Sequence, residues 1–367
     1  MEIDTLEKYL IGNAYAQGTP INGSLELLPL CNMNCDMCYV RLSRPEMEQQ
    51  GRLRTPEEWL DIGKQMQQSG VLFLQLTGGE PLLYSGFKEV YLGLKKMGLI
   101  LTLNTNGTLL DEAWADFFAQ NPPRRINITL YGTDSSAYQQ LCHYAPGFDS
   151  AIRAIQLLKE RGIDVKINGS LVKANSKDAK KLLDIAEKLD VPINIDTYMY
   201  PATRERCKPF NQQSRLTSFE AAQARIMIQK YAHTKNDFQE AAKRLIDKAE
   251  NPEPITGSSR QMKCLAGRSS FAVNWQGNLQ PCVMLPFPSA SVFDVGFDQA
   301  WKTVADGVKE IELSSQCAEC IKRDACQVCA ACALYETGNF DGVPEYMCQY
   351  TEQTLNFLRQ ELRRGKH

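Results

Sequence analysis

The sequence predicts an α/β protein: six β/α units that build a parallel sheet with helices outside, followed by a cysteine-rich region. Three observations carry this. From about residue 24, short apolar runs alternate with amphipathic stretches of helical period. After Pro201 the alternation stops and the chain turns polar and charged. From Cys264 onward Cys, Gly and Pro dominate and apolar runs are short. Strand–helix alternation is the pattern of a parallel sheet. Both an open arc and a barrel satisfy it, and in either one the reactive groups gather at the C-terminal strand ends.

In chain order, strands are expected at Ser24–Leu30, Leu72–Leu76, Ile100–Asn104, Ile126–Leu130, Val165–Val172 and Ile193–Tyr198. Helices are expected at Pro56–Ser69, Gly86–Met97, Glu112–Ala119, Asp149–Arg161 and Lys177–Leu189. Asn104-Thr105-Asn106-Gly107 supplies the turn after the third strand. Residues 215–250 read as helix, Asn251-Pro252-Glu253-Pro254 breaks it, and Gly257-Ser258-Ser259 reads as a linker. Tyr350–Arg364 reads as a closing helix. The expected boundaries are an N-terminal segment 1–22, a core 23–205, a helical bridge 206–262, a cysteine-rich unit 263–350 and a terminal helix and tail 351–367.

Composition excludes several classes. A net charge of −2 gives no general phosphate-binding surface, so no nucleic-acid partner is expected. The basic tail Arg363-Arg364-Gly365-Lys366-His367 reads as a solvated helix end. No apolar stretch approaches the roughly 20 residues a membrane-spanning helix needs. Met1-Glu2-Ile3-Asp4 shows no secretory pattern, so a cytoplasmic location is expected. Thirteen cysteines in a reducing compartment point to metal or redox chemistry rather than disulfides.

Cys31, Cys35 and Cys38 form a C-x3-C-x2-C sequence directly after the first expected strand. Three thiolates on one loop can hold three corners of a [4Fe–4S] cubane, which ordinarily takes four. One iron is then left open for a reacting ligand. Zinc is the weaker reading, because structural zinc prefers four closed ligands and the chain has only three histidines, none near this loop.

This spacing at this position resembles the radical S-adenosylmethionine (radical SAM) superfamily over roughly residues 20–200. The resemblance implies a partial (β/α)6 TIM-like barrel. It implies that the open iron binds the amino and carboxylate groups of S-adenosylmethionine, with Met37 near the adenine. Thr77-Gly78-Gly79-Glu80-Pro81, after the second strand, resembles the family's Gly-Gly-Glu segment. Gly78 and Gly79 would let backbone approach the methionine moiety, and Glu80 would accept a hydrogen bond from its amino group. Thr105, Asn106 and Ser170 match ribose- and sulfonium-side positions, and Asn127 and Thr129 are further polar candidates. For each of these polar groups an ordinary strand-end hydrogen bond competes closely with the cofactor role.

The second cysteine region spaces Cys264, twelve residues, Gly277, four residues and Cys282, then Cys317, Cys320, Cys326, Cys329, Cys332 and Cys348. This resembles the SPASM extension of peptide-modifying radical SAM enzymes, a cysteine-rich iron–sulfur domain with two auxiliary clusters. The resemblance assigns Cys317, Cys320, Cys326 and Cys348 to the distal cluster, and Cys264 and Cys282 to the nearer one. The chain departs from the pattern at Ala330, which Cys329 and Cys332 flank. Both as ligands would close the nearer cluster, one alone would leave an iron open, and even division of eight cysteines favours both. Two zinc-ribbon sites are the competing reading.

Cys142 and Cys207 stand apart. A buried inert thiol competes here with hydrogen-atom donation to a substrate radical, the catalytic role the resemblance offers. Asp196, Tyr198, Tyr200 and Arg204 at the sixth strand are specificity candidates. His143 and His233 read as surface or core residues. Val283 follows Cys282 where sulfatase-maturing relatives carry Asp, which argues against that reaction. From the short stretch before Cys31 no N-terminal peptide-recognition domain is expected. The expected function is therefore an oxidoreductase or peptide maturase that uses S-adenosylmethionine and three [4Fe–4S] clusters. Its partners would be a ribosomal peptide, with or without a separate recognition protein, and an electron donor such as flavodoxin or ferredoxin. The alternatives are a small-molecule dehydrogenase acting on a sugar or alcohol, and a non-catalytic iron–sulfur or zinc scaffold.

Overall fold

The structure is a computed structural model that describes residues 5–201, 214–252 and 260–364. Cys207, Arg204, the linker residues 257–259 and the terminal residues 1–4 and 365–367 lie outside the described residues.

Six parallel strands form in the expected order: β1 (Asn22–Glu26), β2 (Phe73–Thr77), β3 (Ile100–Thr105), β4 (Arg125–Thr129), β5 (Val165–Ser170) and β6 (Ile193–Asp196). Each pairs with the next in parallel register, and the intervening helices return the chain. The helix Pro56–Gln68 shows how local sequence sets these returns. Thr55 caps it and Glu58 reaches back in a capping box, with Pro56 at the first helical position.

Among the described residues the sheet does not close. Three further strands, β7 (Ser270–Val273), β8 (Asn278–Gln280) and β9 (Ala290–Ser291), add to the free edge of β1. Among the described residues the order is β6-β5-β4-β3-β2-β1-β7-β8-β9, with β7 parallel to β1 and β8 and β9 antiparallel. Part of the cysteine-rich segment thus continues the main sheet. Phe271, Val273, Leu279, Phe297 and Val304 share one core with Leu25, Leu74 and Leu101. Only in the stretch around Cys317–Cys329 are few apolar residues buried.

The two faces of the parallel strands differ. Leu74, Leu76, Leu101, Leu103, Ile126, Ile128, Val165, Ile167 and Ile195 are buried. The alternate positions are Gln75, Thr77, Thr102, Asn104, Asn127, Thr129, Lys166, Asn168, Ser170, Asn194 and Asp196, all polar and at least partly exposed. Successive strand residues point to opposite faces, so one face packs on the helices and the other is polar. A closed eight-stranded barrel fills its interior with branched apolar side chains. This arc instead keeps a wettable inner face.

Two helical expectations change. Residues 215–250 are two helices, Ser218–Ala232 and Lys235–Glu250, because the Thr234 hydroxyl accepts the Asp237 N–H and starts a new helix. The closing helix begins at Glu345 rather than Tyr350 and so carries Cys348 in its first turn. No helix among the described residues is long and apolar enough to cross a membrane.

Candidate functional site

The Cys31–Cys38 loop leaves β1 beside the Gly-Gly-Glu segment. Gly79 N–H donates to the Leu28 carbonyl at 2.8 Å and Glu80 N–H to the Leu30 carbonyl at 2.9 Å. A Cβ at Gly78 would lie 2.4 Å from the Leu28 oxygen, and one at Gly79 would lie 2.2 Å from the Leu30 oxygen. Gly78 also sits at φ +138°, which side chains rarely adopt. The glycines therefore permit close contact between these two chain segments, a role distinct from the cofactor approach expected of them.

Glu80 is fully buried. Its Oε1 accepts the Thr105 hydroxyl at 2.8 Å and the Leu82 N–H at 3.1 Å, and its Oε2 accepts the Asn106 N–H at 2.8 Å. A carboxylate offers about four acceptor positions, so one remains. Burial pushes its carboxyl up to about 7, against the opposing pull of the three hydrogen bonds.

Asn106 carries the link onward. Its Nδ2 donates to Asn32 Oδ1 at 2.9 Å and lies 3.6 Å from Cys31 Sγ. Its Oδ1 accepts the Thr108 N–H at 2.9 Å and hydroxyl at 2.7 Å, and Asn32 Nδ2 donates to Thr108 Oγ1 at 2.7 Å. The ends of β2 and β3 are thereby tied to the first cysteine. Sequence reasoning missed Asn32 and Thr108, because their partners lie far away along the chain.

The loop is also held from behind. Asn34 and Asp36 N–H groups donate to the Cys142 and Leu141 carbonyls at 3.1 and 2.9 Å. His143, expected to be incidental, reaches Asp36 at 2.6 Å through Nε2. Cys142 is fully buried with its thiol hydrogen-bonded to Cys35. Cys31 and Cys38 are half-buried and accept the Met33 and Arg41 N–H groups at 3.4 and 3.3 Å. Burial pushes the Cys31 thiol up to about 12, and the Cys142 hydrogen bond followed by burial raises Cys35. Without a metal these groups hold their protons. A bound metal deprotonates a thiol outright, and the donors already aimed at sulfur suit the resulting thiolates. The donor set fits a cluster held by Cys31, Cys35 and Cys38.

The remaining cofactor candidates sit as follows. The Met37 side chain is buried in the core, and Thr105 is buried with its hydroxyl on Glu80. Ser170 ends β5 opposite Asp196, half-exposed. Asn127 Nδ2 donates to Asn104 at 2.7 Å, while its buried Oδ1 has no partner. An orphaned acceptor on the polar face is what a polar ligand would satisfy.

The second cysteine region makes two groups. Cys317, Cys320, Cys326 and Cys348 line one cavity of about 120 Å³. Cys264, Cys282, Cys329 and Cys332 form the other group: burial raises the Cys264, Cys282 and Cys332 thiols, and Cys329 stands close enough to all three to add to the rise. Cys332 is buried one helical turn beyond Cys329. No group of three or more Cys, His, Asp or Glu side chains among the described residues is gathered as a single-ion site.

An open parallel sheet with a three-cysteine loop at the end of its first strand defines a protein of the iron–sulfur-dependent α/β class. Residues 25–187 match the radical SAM superfamily. The chain is 25% identical over 337 residues to the AdoMet-dependent heme synthase of Methanosarcina barkeri, covering 86% of this chain and 92% of that one. It is 26% identical over 168 residues to the sporulation killing factor maturation protein SkfB of Bacillus subtilis, covering 46% of this chain but only 39% of SkfB. In fold it resembles Streptococcus suis SuiB bound to its precursor peptide SuiA, with TM-score 0.68, 16% identity, and 95% and 82% of the two chains covered.

Proposed function

We propose that this chain is a radical SAM peptide maturase in which Cys31, Cys35 and Cys38 hold the reactive [4Fe–4S] cluster. When bound, that cluster supplies the electron that splits S-adenosylmethionine into methionine and a 5′-deoxyadenosyl radical, which takes a hydrogen atom from a substrate carbon. The carrying observation is the clasp of Glu80, Thr105, Asn106 and Asn32 around Cys31. It positions the cysteine loop at the rim of the polar face. The last acceptor position on Glu80 is available to the cofactor's ammonium, Ser170 and the Asn127 Oδ1 acceptor to its polar groups, and Met37 to its adenine.

We further assign two auxiliary clusters: a distal one on Cys317, Cys320, Cys326 and Cys348, and a nearer one that includes Cys264 and Cys282. Their role is to take electrons from an oxidised substrate radical, with a flavodoxin- or ferredoxin-type protein as outside donor. Likeness to SkfB and SuiB supports a peptide substrate. The heme synthase alignment, which spans most of both chains, favours a small-molecule substrate as the second reading.

The test uses anaerobically reconstituted protein with dithionite and S-adenosylmethionine. 5′-Deoxyadenosine forms, and Cys31→Ala, Cys35→Ala and Cys38→Ala each abolish it. Its absence from the intact protein defeats the assignment. A mass change on a co-encoded peptide, rather than on a metabolite, separates the two substrate readings.

A further inference from the structure

The outer edge of β6 is free. In parallel pairing, alternate residues turn their backbone N–H and C=O groups to the same side of the strand. The Pro192 and Asp196 carbonyls accept the Ile167 and Leu171 N–H groups at 2.8 Å, so the even-numbered positions face β5. The N–H and C=O groups of Ile193 and Ile195 therefore face away from it. Among the described residues no strand pairs with them, and β6 ends the sheet. An unpaired edge is a template for a further strand.

This edge opens onto a groove. Ile193, Ile195 and Asp196 line a cavity of about 780 Å³, and Arg225, Ile228 and Gln229 of the Ser218–Ala232 helix line it from the other side. Arg225, Gln229 and His233 also line a second cavity of about 250 Å³, which Arg244 and Lys248 of the Lys235–Glu250 helix complete. The shared residues make the two spaces one groove.

Its charges are uneven. The acids on its walls are Asp196 and Asp324, and the second cavity sets Arg225, Arg244 and Lys248 against Asp324 alone. On the same layer of helices, Lys230 pairs with Glu361 at 2.6 Å and Arg359 with Glu250 at 2.9 Å. Arg225 instead lies 5.7 Å from the Tyr350 ring centre, and among the described residues neither it nor Arg244 nor Lys248 has a carboxylate in ion-pair contact. A groove lined by an excess of one charge gathers ligands of the other.

We infer that this groove docks an extended, acidic stretch of polypeptide, which adds to β6 as a further strand and sets its carboxylates against Arg225, Arg244 and Lys248. The inference rests on the peptide reading of the proposed function. Main-chain bonds to Ile193 and Ile195 supply affinity, and the cations select acidic side chains. Asp196 ends β6 opposite Ser170 on the polar face. A strand held on β6 therefore leads the residues next to it toward the rim of that face. The docked stretch is a recognition segment, separate in sequence from the residue that gives up a hydrogen atom.

The test measures binding by fluorescence anisotropy to the full chain, reconstituted anaerobically. The probes are fluorescein-labelled peptides of about eight residues, a common strand length. One alternates Glu and Val, one alternates Lys and Val, and the third is the Glu/Val peptide with its backbone nitrogens methylated. The Glu/Val peptide binds, and the other two bind about tenfold more weakly or worse. Arg244→Glu with Lys248→Glu weakens Glu/Val binding by about tenfold or more. Lys64→Glu with Lys96→Glu, the same charge change on two exposed lysines outside the groove, weakens it by less than about threefold. Equal affinity for the Glu/Val and Lys/Val peptides, equal losses in the two double variants, undiminished binding of the methylated peptide, or no binding at all overturns the inference. The peptide comparison uses the unaltered chain and so does not depend on how the variants fold. Binding needs no turnover, so deoxyadenosine formation decides the proposed function separately.

Discussion

Glu80 allows a quantitative test in the metal-free protein. Replacing it with Ala strands three buried donors, the Thr105 hydroxyl and the Asn106 and Leu82 N–H groups. Each unsatisfied buried donor costs about 1–3 kcal/mol. Against this, the substitution relieves the burial that lifts the carboxyl to about 7. A rise from 4.5 to about 7 corresponds to roughly 3 kcal/mol against the ionised form at neutral pH. The net expectation is a destabilisation of about 2–8 kcal/mol at pH 5, where the offset is only about 1 kcal/mol, and about 0–6 kcal/mol at pH 8. The folded carboxyl binds its proton more tightly than the unfolded one. Wild-type stability therefore falls as pH rises from 4.5 through 7, by roughly 2–3 kcal/mol between pH 5 and pH 8 on account of this group. Urea denaturation of the apoprotein followed by circular dichroism, in wild type and Glu80→Ala at both pH values, measures both terms. A loss under about 0.5 kcal/mol with an unchanged pH slope would refute the clasp.

Other expectations concern single positions. Cys142→Ala removes a fully buried thiol behind the loop and is expected to destabilise by about 1–2 kcal/mol, read by urea denaturation, while deoxyadenosine formation is kept. Gly78→Ala places a Cβ 2.4 Å from the Leu28 oxygen at φ +138°, and about 3 kcal/mol or more of stability is expected to go, seen as a lower unfolding midpoint. Arg215→Leu leaves the Glu336 carboxylate unpaired and is expected to cost about 3–5 kcal/mol, whereas Arg215→Leu with Glu336→Leu together costs less than Arg215→Leu alone. Denaturation of the two variants and the double variant measures that coupling.

The fold was legible because its signals are local. Apolar runs bounded by turns located all six parallel strands to within a few residues, and Thr55 and Pro56 marked their helix directly. The pairing of β7 with β1 was not legible, since Ser270–Val273 and Asn22–Glu26 meet across most of the chain and neither advertises its partner. The split at Thr234 was missed because a single capping hydroxyl overrode a continuous helical period. The cysteine spacings placed the Cys31–Cys38 loop at a strand end and gathered Cys317, Cys320, Cys326 and Cys348 around one cavity. What spacing could not show is direction. Whether Glu80 points at a ligand or at Thr105 depends on side chains far away in sequence.

The ladder from β6 through β1 to β9 has a kinetic consequence. Cys31 follows β1, and Cys282 follows β8 in the same hydrogen-bonded sheet. With the proposed clusters in place, electrons passing between the two regions would cross a span set by backbone register rather than by a hinged carrier. The hop should therefore be indifferent to solvent viscosity and survive chemical cross-linking, which would halt an enzyme that had to swing its redox groups into range.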